Sequence, residues 1–145
     1  MDFKEALEFA NQNQVCWLAT SENNQPHVRG MMMWFADETG FYYHTGSTKS
    51  LSEQLKANPK VEIAYFNNAK TQPESRMMRL TGKAEILNNP ELEKRLLQER
   101  PWLNMIKQSN PESELVIFRI VSGEIYFWNI MVNTREKNQP RIKFG

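Results

Sequence analysis

Residues 41–61 read FYYHTGSTKSLSEQLKANPKV, and they turn a strand into a helix across a loop of five residues, Thr45 to Lys49. Phe41-Tyr42-Tyr43-His44 is an aromatic, strand-favouring run. Leu51 and Leu55 then recur one helical turn apart, and Asn58-Pro59 stops the helix. Proline disfavours helical geometry in the residue before it. The first turn of a helix has unpaired amides and a partial positive charge. Hydroxyls, a glycine and a lysine at that point suit an anion such as phosphate. Amides and hydroxyls supply hydrogen bonds, and Lys49 supplies a point charge. The plainer alternative is that Ser47 or Thr48 caps the helix and Lys49 is solvated.

The remaining pattern is strands joined by tight turns, with a few helices between them. Asp2 to Ala10 predicts a helix, with Asp2 and Glu5 as a capping box and Phe3, Ala6, Leu7 and Ala10 on one face. Val15 to Thr20 is a compact apolar strand, and Ser21 to Pro26 is turn chemistry. His27 to Ala36 predicts a second strand, apolar on both faces and therefore covered on both. Arg29 lies on its Met31/Met33 face, where a charge needs a partner: an anion, or a carboxylate such as Glu62. Asp37 to Gly40 turns the chain into the Phe41 strand.

Val61 to Asn67 and Arg76 to Leu87 are further strands, with Gly82 at a bulge or bend. Asn89-Pro90 opens a helix that Pro101 interrupts. Leu115 to Val121 and Glu124 to Ile130 predict a hairpin across Ser122-Gly123. The tail from Asn133 to Gly145 is polar and basic, and either wraps a partner subunit or lids a pocket, with Arg141 or Lys143 facing an anion, or is frayed. This order predicts one domain over residues 1–145, mainly β, a small barrel-like sheet with peripheral α-helices.

Bulk properties narrow the function classes. The net charge of +1 gives no whole-chain case for nucleic acid or an anionic membrane. No apolar run approaches the roughly 20 residues a spanning helix needs. The single cysteine, Cys16, forms no internal disulfide, and no Cys/His cluster has zinc spacing. The charged N-terminus is no secretory signal, so a cytoplasmic protein is the expectation.

Three pieces in order carry a resemblance. They are the hairpin from Val15–Thr20 to Pro26–Phe35 with Arg29 near the start of its second strand, the block 41–61, and Leu80-Thr81-Gly82-Lys83-Ala84-Glu85. Together they resemble the pyridoxamine-5′-phosphate-oxidase-like, FMN-binding split-barrel superfamily. Within it the chain is most similar to the short general-stress and nitroimidazole-resistance-like members. The resemblance implies a six-stranded split β-barrel, a homodimer, and FMN at the subunit interface. It implies that Arg29 contacts the FMN phosphate and that Ser47, Thr48 and Lys49 close around it. Gly30, Met31 and Met32 would run along the isoalloxazine ring with their backbone groups. Tyr43 and His44 would lie on the next strand beside the cofactor, with Thr45 at the start of the phosphate loop, and Trp128 is either core or dimer interface or stacks on the flavin edge.

Two features depart from the family pattern. Met77 stands where the family places a polar residue, often glutamine. The C-terminal Trp/Arg motif of true pyridoxamine-phosphate oxidases has only a loose echo in Trp128 and Arg141, so that activity is not expected. The expectation is an FMN-dependent oxidoreductase taking electrons from an NAD(P)H-type donor. Its rivals are a non-catalytic flavin-binding or stress-response protein, a haem-binding barrel with His44 as ligand, and a nucleic-acid-binding barrel stacking bases on its aromatics.

Overall fold

The computed structural model describes residues 2–145. Helix α1 (Phe3–Gln12) opens on the expected capping box. The Glu5 amide donates to Asp2 Oδ1 at 2.9 Å, and the Asp2 amide donates to Glu5 Oε2 at 3.3 Å. Strands β1 (Val15–Glu22) and β2 (Gln25–Met32) form the first hairpin. Asn23 and Asn24 make its turn at φ 49° and 64°, the left-handed pair a two-residue turn requires.

β2 ends at Met32, four residues before the expected boundary at Ala36. Met33 and Trp34 leave it to bond elsewhere: the Met33 amide donates to Gln14 O at 2.8 Å, and the Trp34 amide to Tyr42 O at 2.9 Å. A short β3 (Phe35–Asp37) then pairs with β4 (Gly40–Gly46). Helix α2 (Ser50–Ala57), β5 (Lys60–Phe66) and β6 (Met77–Leu87) follow. Asn89 caps α3 (Pro90–Glu99) by accepting from the Leu92 amide, and α4 (Leu103–Ser109) begins after Pro101.

The hairpin expected across Ser122-Gly123 does not form. Residues Leu115–Trp128 are one continuous strand, β7. Gly123 lies opposite Gly82 at a bulge in the β6–β7 ladder, so its glycine permits a close crossing and not a turn. The long strand pairs with β6 along its length, with β4 through its first half, and with β8 (Ile142–Phe144) through its second. A 3₁₀ segment, Ile130–Asn138, leads to β8, so the tail is not frayed.

The result is one antiparallel sheet of 8 strands, ordered β2-β1-β5-β6-β7-β4-β3 with β8 beside β7. β3 and β8 have three residues each, and the remaining strands are the long ones. The inner face holds the core, including Leu18, Tyr43, Ile63, Tyr65, Met78, Leu80, Phe118 and Ile125. α1 packs against this core, with Phe9 edge-on to Phe127 at 5.3 Å. Each such fully buried side chain contributes roughly 1.5–3 kcal/mol.

A second cluster of Trp34, Tyr42, Leu96, Leu103 and Ile117 holds α3 and α4 against the outside of β4 and β7. The indole Nε1 of Trp34 donates to Glu99 Oε1 at 3.0 Å, and Arg95 stacks 4.3 Å over the Phe35 ring.

β2 is the terminal strand of the sheet, and α3 ends beside it. An edge strand has backbone groups with no strand partner. On the outward face of β1 and β2, Val15 lies opposite Met32, Trp17 opposite Gly30, and Ala19 opposite Val28. Val15, Trp17, Val28 and Met32 are all exposed, Val28 at 68%.

Candidate functional site

A groove of about 510 Å³ runs between β2, β4, the α2 entry loop and α4. Gly30, Met31, Met32, His44, Thr45, Thr48 and Lys49 all line it, so residues from two expected pieces of the site meet in space. A larger cavity of about 570 Å³ lies between 87–89 and 107–117, and none of the expected site residues lines it.

The loop before α2 is held without capping the helix. The Ser47 hydroxyl accepts from the Glu114 amide at 2.8 Å, and the Thr48 hydroxyl donates to Ser113 Oγ at 2.9 Å. Both side chains are thereby tied to the chain entering β7. Lys49 is the N-cap of α2 and makes no side-chain cap bond. The N-cap side chain therefore leaves the first-turn amides of α2 uncapped. Beside them, the Thr45 hydroxyl is buried with no hydrogen-bond partner among the described residues, while Thr45 lines the groove. A buried orphan hydroxyl costs roughly 1–3 kcal/mol.

Gly30 adds a second fit. A Cβ built there would come no nearer than 3.7 Å to Trp17 Nε1, an ordinary contact, so packing within the chain does not demand glycine. A glycine in a strand interior lowers stability, and it suits a place where a ligand approaches the backbone closely.

The other expected residues lie outside the groove lining. Arg29 extends behind α2: its guanidinium donates to Thr20 Oγ1 at 2.9 Å, to Leu18 O at 3.3 Å and to Gln54 Oε1. It has no carboxylate partner among the described residues. Burial lowers its pKa without neutralising it. Glu62, the carboxylate considered for it, pairs with Arg79 at 2.8 Å. Tyr43 points into the core, where its hydroxyl bonds that of Tyr65, which also donates to Met33 Sδ at 3.2 Å. Met77 and Trp128 face each other across β6 and β7. Arg141 stacks 3.8 Å over Tyr126.

Sequence reasoning missed Arg100 and the wall of α4. Arg100 is the C-cap of α3, and its Nη1 lies 2.7 Å from His44 Nε2. It also donates to Met32 O at 3.3 Å and Met33 O at 2.8 Å. Burial, then the charges of Arg100 and Lys49, push the His44 pKa down to about 4. Trp102 lines the same end, its ring 6.2 Å from His44. Burial pushes the Cys16 thiol up to about 12, so it offers no thiolate near neutrality. The described residues hold no cluster of metal-ligating side chains, and no helix among them is long and apolar enough to cross a membrane.

A sequence profile described as pyridoxamine 5′-phosphate oxidase matches residues 3–129. The chain belongs to the pyridoxamine 5′-phosphate oxidase family. Solved structures share its fold. A NimC/NimA family protein from Clostridium acetobutylicum is 26% identical, with a TM-score of 0.75 over 97% of this chain and 91% of that one. General Stress Protein 26 from Bacillus anthracis is 19% identical, with a TM-score of 0.65 over 99% of this chain and 100% of that one. An FAD-binding protein from Mesorhizobium loti is 19% identical, with a TM-score of 0.64 over 88% of this chain and 94% of that one. No curated protein sequence matches the chain. Family membership accounts for the split barrel.

Proposed function

We propose that this chain is an FMN-binding oxidoreductase that works as a homodimer on a small substrate. The observation that carries the reading is the meeting of Gly30, Met31 and Met32 with Thr48 and Lys49 along one groove at the start of α2. Three kinds of anion-binding group converge there: amides, a hydroxyl and an ammonium. In this reading Thr45, Thr48 and Lys49 hold the phosphate. Arg29 adds positive charge from behind α2 through its contact with Gln54.

Gly30, Met31 and Met32 bring open backbone and apolar surface to the ring. A bound flavin supplies the electron-transfer chemistry, and the protein orients it and tunes it by hydrogen bonds. The exposed apolar face of β1 and β2 supports the homodimer, because it adjoins the groove through Gly30 and Met32. Met77 and Trp128 would then approach the cofactor from the second subunit. The C-terminal Trp/Arg motif of true pyridoxamine-phosphate oxidases has only a loose echo in Trp128 and Arg141, so the substrate in this reading is a different one.

The test is to titrate the purified protein with FMN and follow the visible spectrum and flavin fluorescence. Saturable binding at micromolar FMN supports the reading, and a protein that stays colourless defeats it. Oxidation of NADH or NADPH with added acceptors then separates an oxidoreductase from a flavin carrier.

A further inference from the structure

Histidine in a flavin groove invites an acid–base role, but the contacts of His44 argue for another. Arg100 Nη1 lies 2.7 Å from His44 Nε2. A guanidinium has N–H groups only and keeps its charge at any ordinary pH. In this contact Nε2 must therefore accept. The proton of the neutral imidazole is left on Nδ1. Among the described residues, no protein group bonds to Nδ1.

Arg100 is itself firmly placed. It donates to the carbonyl oxygens of Met32 and Met33, which fixes it against the end of β2. The helix that carries it is held by Trp34 on Glu99 and by Arg95 on Phe35. The charges acting on the imidazole are cations, Arg100 from the end of α3 and Lys49 from the start of α2, and Lys107 of α4 adds a third cation to the groove lining. Glu114 lines the same groove and makes no hydrogen bond to the ring. A second proton on His44 is therefore opposed from both sides.

We propose that Arg100 is a positioning residue that locks His44 as a neutral Nδ1–H donor, aimed at a hydrogen-bond-accepting oxygen or ring nitrogen of a flavin in the groove. The second half of this statement rests on the flavin reading above, and the first half does not. A neutral fixed donor stabilises negative charge that builds on its acceptor, with no proton transferred and no reorganisation. The histidine then contributes equally across neutral pH.

The first experiment uses the cofactor-free protein labelled with ¹⁵N-histidine. Long-range ¹H–¹⁵N spectra report the tautomer and the titration of His44 directly. The expected result is the Nδ1–H form from pH 5 to 8. Arg100→Met should lose that preference and let His44 titrate closer to an ordinary histidine, which a merely structural arginine would not cause. An Nε2–H form, or a wild-type titration near 6.5, overturns the lock, and the wild-type spectra decide this even if the variant fails to fold.

The second experiment measures FMN affinity in His44→Asn and His44→Gln. The asparagine amide falls near the Nδ1 position and the glutamine amide near Nε2. Affinity should hold within about threefold for His44→Asn and fall roughly tenfold for His44→Gln, the loss of one hydrogen bond. Equal loss in both overturns the donor role. A wild-type protein that binds no FMN shows instead that the flavin reading has failed, and the tautomer spectra still judge the lock.

Discussion

Gly123 stands opposite Gly82 across β6 and β7, and a Cβ on Gly123 would fall 1.8 Å from the carbonyl oxygen of Thr81. The atoms it would meet are backbone and cannot rotate aside. Gly123→Ala should therefore destabilise the fold by more than about 3 kcal/mol, in the range of severe overpacking. Urea denaturation of the variant against wild type checks this. A change below about 1 kcal/mol would mean the two strands part easily at the bulge.

Among the described residues, two buried hydroxyls lack partners, Thr45 Oγ1 on β4 and Ser52 Oγ on α2. Removing an unsatisfied buried hydroxyl should stabilise the cofactor-free protein by roughly 1 kcal/mol. Ser52→Ala and Thr45→Val should both show this gain in thermal unfolding. Only Thr45→Val should also weaken FMN binding. If both variants bind FMN as wild type does, Thr45 has no part in the phosphate site.

Gly30 has room for a methyl group within its own chain. Gly30→Ala should fold with near-native stability, and Gly30→Val should fold too. FMN affinity should fall with each added methyl as the groove floor rises. Unchanged affinity in Gly30→Val would place the flavin away from this backbone.

His44 gives the stability curve a pH signature. Its folded pKa of about 4 lies below the ordinary 6.5, so between those values the unfolded chain binds more protons than the folded one. Stability from this group is complete above pH 6.5 and drains away as pH falls toward 4. The slope is at most roughly 1.4 kcal/mol per pH unit, less where water reaches the ring. Denaturant midpoints for wild type and His44→Gln should diverge at pH 7 and converge toward pH 4. Parallel curves would show that His44 titrates normally.

The outward face of β1 and β2 gives the last prediction. Trp17 and Val28 are exposed and apolar on a sheet face that adjoins the groove. A charge in the middle of an apolar contact disfavours assembly. Val28→Glu should shift sedimentation from dimer to monomer and weaken FMN binding in the same sample. A variant that stays dimeric would move the interface elsewhere.

Much of this molecule was legible in the sequence where one residue type had one local meaning. Asn89-Pro90 started a helix where capping chemistry said it would, and Asp2 and Glu5 closed their box. The 41–61 block formed its strand, loop and helix. Ser122-Gly123 misled because glycine serves both turns and close strand crossings, and only the partner strand decides between them.

Arg100 was invisible for a different reason. It is one of several charges near a helix end, and its partner His44 is 56 residues away. Ser47 and Thr48 read as phosphate ligands or as helix caps, but the start of β7 claims both hydroxyls. Such choices between local and distant partners are made only when the chain closes on itself.

Phe3 stacks on Phe144 at 5.2 Å, and both pack against Phe41, so the first helix and the last strand share one aromatic nest. Helix α1 and strand β8 are therefore neighbours. A short glycine linker could join them, with new termini cut into the exposed stretch 70–74, far from the groove in sequence. Such a circular permutant would keep every strand pairing described above while freeing both original ends from carrying a tag.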